Sequence, residues 1–281
     1  MRRDVKRRCI ALALGLLAQW PAHLSAQDSG LKRLTLRSEG LGWEAVGRVD
    51  VAGRGFCSGV LIATDLVLTA GHCLHDRATG TARDPGTVKF RAGLRDGLAV
   101  AERSVARAVV HPSYTDPESS RTTQIRFDLA ILQLAEPIPA ATAAPFSVEP
   151  MPGIGRDVAV VSYAKGRDAA LSWQRRCAVL DSRDHLTMLT CDVTFGSSGA
   201  PVFDMSGRRA RIVSMISSGG EQRGRKVAFG MDIPPVLADL KVALNSGRGV
   251  IESAQIPVRR VTPRADHSAS GARFVKAPTR D

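Results

Sequence analysis

Three short stretches of this sequence hold residue types that can act on one another. Thr69-Ala70-Gly71-His72-Cys73 carries an imidazole, Phe127-Asp128-Leu129-Ala130-Ile131-Leu132 a carboxylate, and Gly196-Ser197-Ser198-Gly199-Ala200-Pro201 two hydroxyls. A serine hydroxyl is a weak nucleophile near neutral pH, so it attacks a carbonyl only when a neighbouring base takes its proton. Imidazole can be that base, and a carboxylate behind it fixes the tautomer and stabilises the charged ring. The tetrahedral oxyanion that forms needs hydrogen-bond donors. Gly196, two residues before Ser198, lets the backbone come close, so the N–H groups of Gly196 and Ser198 are the candidate donors. One such donor contributes about 3–4 kcal/mol of transition-state stabilisation. Each stretch alone has an ordinary structural reading. Together, in the order His, Asp, Ser and each beside an apolar run, they point to acyl transfer.

The elements that must position these residues read as strands. Phe56–Ile62 and Leu66–Leu68, separated by Ala-Thr-Asp, predict a hairpin that ends at the His72 stretch. Further short apolar runs lie at 88–92, 106–110, 129–134, 158–162, 186–191, 200–203, 212–216 and 227–231, with turn residues between them. That rhythm predicts an all-β barrel or sandwich. Helical periodicity is confined to 234–244, where Val236, Leu237, Leu240 and Leu244 share a face. The proline-rich passage 136–152 reads as a linker between two halves, and no internal sequence repeat stands out.

The ends differ from the middle. The formal charge is +12, and two segments hold most of it: the first 26 residues carry five Lys/Arg against one acid, and those from Ser246 onward seven against three. The first segment has a cationic start (Arg2, Arg3, Lys6, Arg7, Arg8), an apolar run over 10–18 and a small-residue exit at Leu24-Ser25-Ala26. It reads as a removable export signal over 1–26, placing the mature chain outside the cytoplasm, in the periplasm or the medium. Arg7-Arg8 lacks the rest of a twin-arginine pattern, so the general export route is expected. The apolar run is too short for a membrane span, and no other segment is long enough. Residues 246–281 read as a basic, flexible tail with little apolar surface to offset the entropy of ordering. The charge has no nucleic-acid-binding motif beside it, so no specific nucleic acid is expected as a partner.

Without Cys9 in the export segment, four cysteines remain: Cys57, Cys73, Cys177 and Cys191. In an exported chain they predict two disulfides. Of three possible connectivities, 57–73 and 177–191 are favoured because each closes a short loop within one half. Neither a zinc-type cysteine spacing nor H-E-x-x-H occurs, so no metal and no cofactor is expected. His75, three residues after His72, has no third ligand at a suitable spacing; His111 and His185 are assigned to loops or the surface, and His267 to the tail.

The stretches T-A-G-H-C, D-L-A-I-L and G-S-S-G-A-P resemble the three signature motifs of trypsin-like, chymotrypsin-fold serine peptidases of the bacterial secreted type. The similarity runs over about 42–245. It implies two six-stranded Greek-key β-barrels, the first about 42–138 and the second about 150–233, with a short C-terminal helix at 234–245, all within a peptidase domain of 27–245. It implies His72 as general base, Asp128 as its orienter and Ser198, rather than Ser197, as nucleophile of a secreted serine endopeptidase acting on proteins or peptides. Cys57 and Cys73 resemble the family's disulfide beside the catalytic histidine, and His111-Pro112-Ser113-Tyr114 a loop that often precedes the aspartate strand. Asp192, six residues before Ser198, stands at the offset of the floor of the family's primary specificity pocket, which implies cleavage after Arg or Lys.

The departures also carry information. Ser197 stands where animal digestive members have an aspartate that pairs with a new N-terminal amine, and the Ile/Val-Val-Gly-Gly start is absent. Activation by such a cleavage is therefore not expected. Val213–Ser218 has no histidine, unlike glutamate-specific bacterial relatives. Cys191 lies seven residues before Ser198, not four, so the pocket loop can follow another path. An α/β-hydrolase would run Ser, Asp, His instead. A non-catalytic binding protein on the same fold and an esterase are the two alternatives. Retention of all three residues argues against the first.

Overall fold

In a computed structural model the structure describes residues 31–76 and 78–254. The expected export segment over 1–26 and the expected tail beyond Ala254 lie outside the described residues. In chain order the strands are β1 (Leu31–Arg33), β2 (Val46–Val51), β3 (Gly55–Leu61), β4 (Leu66–Thr69), a small pair β5 (His75–Asp76) and β6 (Thr81–Ala82), β7 (Val88–Ala92) and β8 (Ala101–Val110). Two short helices, α1 (Pro112–Thr115) and α2 (Arg121–Arg126), precede β9 (Ala130–Leu134). The second half holds β10 (Asp157–Ser162), β11 (Ser172–Arg183), β12 (Leu186–Leu189), β13 (Pro201–Asp204), β14 (Arg211–Gln222) and β15 (Arg225–Asp232), then α3 (Ile233–Ser246) and β16 (Val250–Glu252).

Six strands close each half into an antiparallel barrel. Around the first the order is β2-β3-β4-β9-β8-β7, with β7 back on β2; around the second it is β10-β11-β12-β15-β14-β13, with β13 back on β10. The repeat that the sequence does not display is thus a repeat of topology. Closure removes the open strand edges that would invite aggregation. Inward positions are aliphatic, with Val46, Val49 and Val51 of β2 buried while Arg48 and Asp50 between them stay half-exposed and ion-paired at 2.8 Å. That alternation is the period of two a barrel wall requires.

The ends of the described chain cross over. β1 pairs with β11 of the second barrel, and β16 pairs with β8 of the first. The head of the expected tail is therefore a strand as far as Glu252. Between the barrels Trp43, Phe146, Trp173 and Phe203 form one aromatic cluster, with centroids 4.8–5.9 Å apart across the observed pairs. Phe146 belongs to the linker, and its N–H donates to Leu61 O. The linker is pinned by its own apolar residues rather than left loose.

α3 follows from its ends as much as from its apolar stripe. Pro234 and Pro235 fall in its first turn, where no N–H is required, and Gly247 (φ 75°) closes it in the left-handed region. Ile233, Val236, Leu237, Leu240 and Leu244 are buried, and burying each such side chain is worth about 1.5–3 kcal/mol. Among the described residues no helix is long and apolar enough to cross a membrane.

Candidate active site

His72 is presented by the end of the first hairpin. β4 stops at Thr69, whose Oγ1 donates to Ser58 O at 2.8 Å, and a single 3-10 turn over Gly71–Cys73 then sets the imidazole outward. The Cys57–Cys73 disulfide ties this turn to β3, and Cys177–Cys191 ties β11 to the segment that leads to Ser198.

Asp128 arrives just before β9 and is 2% exposed. A carboxylate buried that far needs hydrogen bonds in place of water, and it receives three. His72 N–H donates to Oδ1 at 2.8 Å, His72 Nδ1 to Oδ2 at 2.7 Å, and Ser217 Oγ to Oδ2 at 2.6 Å. Because the carboxylate only accepts, the ring proton sits on Nδ1 and Nε2 keeps its lone pair. Burial disfavours the charged ring, but the Asp128 charge and hydrogen bond outweigh it, with Arg54 opposing weakly. The His72 pKa is raised above its usual value. The base is thereby strengthened.

Ser198 sits in a turn whose conformation is fixed by backbone. Ser197 N–H donates to Thr194 O, Ala200 N–H to Ser197 O and Gly199 N–H to Ile216 O, while Ser58 N–H of β3 donates to Ser198 O at 2.8 Å. The turn is therefore held by both barrels. Gly199 has φ +73°, and a Cβ there would lie 2.4 Å from Ser58 O and from Thr69 Oγ1. Gly196 has φ +90°, and a Cβ there would strike the Phe56 ring at 2.3 Å. Only glycine fits either position. The carbonyl of Phe195 accepts from Lys165 N–H at 2.7 Å, and since the peptide is planar and trans, the Gly196 N–H points the opposite way. Neither the Gly196 nor the Ser198 N–H has a partner among the described residues. Two donors are left for an oxyanion.

His72 and Ser198 line one cleft of about 1050 Å³, together with Phe56, Phe195, Ser217 and Gly219. The two are not hydrogen-bonded to each other among the described residues, a contact that commonly tightens only around substrate. Ser217 is a candidate site residue that sequence reasoning missed. It is one more serine in β14, and only the pairing of the barrels brings it to a carboxylate 89 residues away in sequence.

Asp192 is not among the residues that line this cleft, although its neighbour Val193 is. Cys191 is pinned to Cys177, and Asp192 N–H donates to the buried Gln174 Oε1 at 2.7 Å. The Asp192 charge instead favours the guanidinium of Arg167, whose burial pulls its pKa down. Ser197 is fully buried, its Oγ accepting from Thr194 N–H at 3.4 Å in place of an ion pair. His111, assigned from sequence to a loop or the surface, is 6% exposed: it stacks on Phe127 and caps α1 through Nδ1, and burial lowers its pKa against the pull of Asp239. Among the described residues the cluster Cys57, His72 and Cys73 has metal-like proximity, but both sulfurs are spent in the disulfide. No thiolate is left to bind an ion.

Known proteins resemble this chain in sequence and fold. Glutamyl endopeptidase of Bacillus licheniformis is 28% identical over 156 residues, covering 55% of this chain and 47% of that protein. Trypsin iota of Drosophila melanogaster is 28% identical over 130 residues, covering 44% and 46%. The chain thus spans less than half the length of these curated relatives. A solved structure of Glu endopeptidase in complex with MPD superposes with a TM-score of 0.64 at 18% identity, covering 79% of this chain and 98% of that one, a likeness of fold. The model of the trypsin-like peptidase domain matches residues 57–210, more than half of the sequence. With two six-stranded barrels and that match, the chain belongs to the trypsin-like serine peptidase family.

Proposed function

We propose that this protein is an exported serine endopeptidase in which His72, Asp128 and Ser198 form the catalytic triad. The observation that carries the reading is the buried Asp128 carboxylate, which holds both the N–H and the ring of His72 at the mouth of the cleft that Ser198 lines. Nε2 takes the Ser198 proton as Oγ attacks the scissile carbonyl, and the imidazolium is stabilised by Asp128. The oxyanion accepts from the N–H groups of Gly196 and Ser198. His72 then returns the proton to the leaving amine, and water releases the acyl group by the reverse steps. Export is supported by the N-terminal pattern and by two disulfides that account for all four cysteines beyond Cys9.

Ser197 gives the test its internal control. Ser198→Ala is expected to lower peptide hydrolysis by several orders of magnitude with the fold intact, while Ser197→Ala retains substantial activity. Circular dichroism and active-site-independent solubility report the fold. A Ser198→Ala protein that still hydrolyses peptide at the wild-type rate overturns the assignment. The buried Ser197 hydroxyl also leaves nothing to pair with a freed N-terminal amine. A chain with a few extra residues before Gln27 is accordingly expected to remain active.

A further inference from the structure

The cleft carries more positive charge than acyl transfer needs. Arg54, Arg83 and Lys165 line it, against Asp76 as the one lining carboxylate away from the triad among the described residues. Asp76 is already shared, ion-paired to Arg54 and, at 3.2 Å, to Arg83, so that trio keeps a net positive charge. Lys165 is exposed and has no carboxylate partner among the described residues.

These cations lie towards one half of the cleft. Phe56 packs against Gly196 and adjoins the Cys57–Cys73 disulfide beside His72, and Arg54 is two residues before it. Arg54 is close enough that its charge opposes protonation of His72. Lys165 is tied through its N–H to Phe195, the residue before Gly196. The other half is bounded by β14. That strand pairs with β13 only as far as Met215, so Ser217, Ser218 and Gly219 present an open edge where an extended peptide can add as a strand. The imidazole must hand its proton to the leaving amine, so the leaving segment passes His72, the disulfide and Phe56, while the acyl segment lies along the open edge.

We propose that the cleft selects peptides with acidic side chains just after the scissile bond, and that Arg54 and Lys165 are the residues that recognise them. This rests on the peptidase reading above. A guanidinium and an ammonium at the rim of a partly desolvated cleft attract carboxylates both in encounter and in the bound complex. The attraction is screened by salt.

The full chain, with active sites counted by fluorophosphonate uptake, is given a peptide library, and its cleavage sites are mapped by mass spectrometry. Matched peptides that differ only in Ala or Glu at the two positions after the bond are then compared. Glu is expected to raise kcat/KM by about tenfold at low ionic strength, less at high salt. The Arg54→Gln, Lys165→Gln double variant is expected to bring the Glu/Ala ratio close to one. The inference is overturned by a wild-type ratio of one, by a raised ratio that survives both substitutions, or by acidic enrichment confined to the residue before the bond. A full chain that takes up no label and cleaves nothing sinks the peptidase reading itself, and this inference with it.

Discussion

The two sides of the cleft are built by different means. On the first barrel's side, side chains do the positioning: Asp128 accepts from the backbone and ring of His72 and, from across the cleft, from Ser217. On the second barrel's side the backbone does it. Two glycines with positive φ, four turn hydrogen bonds and a peptide plane anchored on Lys165 aim Ser198 and two N–H groups. A hydrogen-bonded side-chain array should lose function unequally, most when the carboxylate itself is changed and least when one donor to it is removed. A backbone turn packed against its neighbours should tolerate no added atom.

The contrast can be sharpened by substitutions on each side. The largest effect is expected from Asp128→Asn, which keeps the shape but leaves His72 in the wrong tautomer. A loss of roughly 10⁴ in kcat with the thermal midpoint little changed is the expected result. Next comes Gly199→Ala. Its methyl group has no space beside Ser58 O and Thr69 Oγ1, and φ is positive, so a stability loss of about 3 kcal/mol with loss of activity is expected in urea unfolding. A Gly199→Ala protein as stable and active as wild type would contradict the backbone account.

Ser217→Ala should do less. It removes one of three hydrogen bonds to Asp128, for an expected loss of about tenfold in kcat, since one hydrogen bond to a charged group is worth about 1.5–3 kcal/mol at most. A loss as large as that of Asp128→Asn would mean that Ser217 is needed to hold the carboxylate at all.

The smallest effect expected is a displacement on the pH axis. His72 acts only when neutral, and its folded pKa is raised above 6.5, so kcat/KM should fall with acid through a midpoint above 6.5. The stability contribution has the opposite sense. The imidazolium–Asp128 pair stabilises the fold fully below 6.5 and is lost as pH rises through the raised pKa. A kinetic midpoint below 6.5 would contradict the geometry, and Asp128→Asn should move the midpoint down.

Legibility in the sequence follows the same division. His72, Asp128 and Ser198 announce themselves because their chemistry is in the side chain and each adjoins an apolar strand. The runs at 88–92 and 158–162 are likewise legible, the first because Val88, Phe90 and Ala92 alternate with Lys89 and Arg91, the second because Val and Ala are continuous over 158–161, and they form β7 and β10. β11 escapes sequence reading because the consecutive exposed Arg175 and Arg176, at a register shift against β10, break any apolar run. α2 was missed because it has six residues and starts from a Ser120 cap, too short for periodicity to register. Ser217 and the path of Asp192 depend on contacts across the barrels and on the pull of Gln174 and Cys177. No local pattern encodes those.

The central claim is that Ser198 is a nucleophile activated by His72. Its most direct test is to treat the full chain with a fluorophosphonate and locate the adduct by peptide mass spectrometry. The account predicts one adduct per chain, on Ser198, that disappears in His72→Ala. An adduct on Ser197 or Ser217, or labelling that persists undiminished without His72, would contradict it.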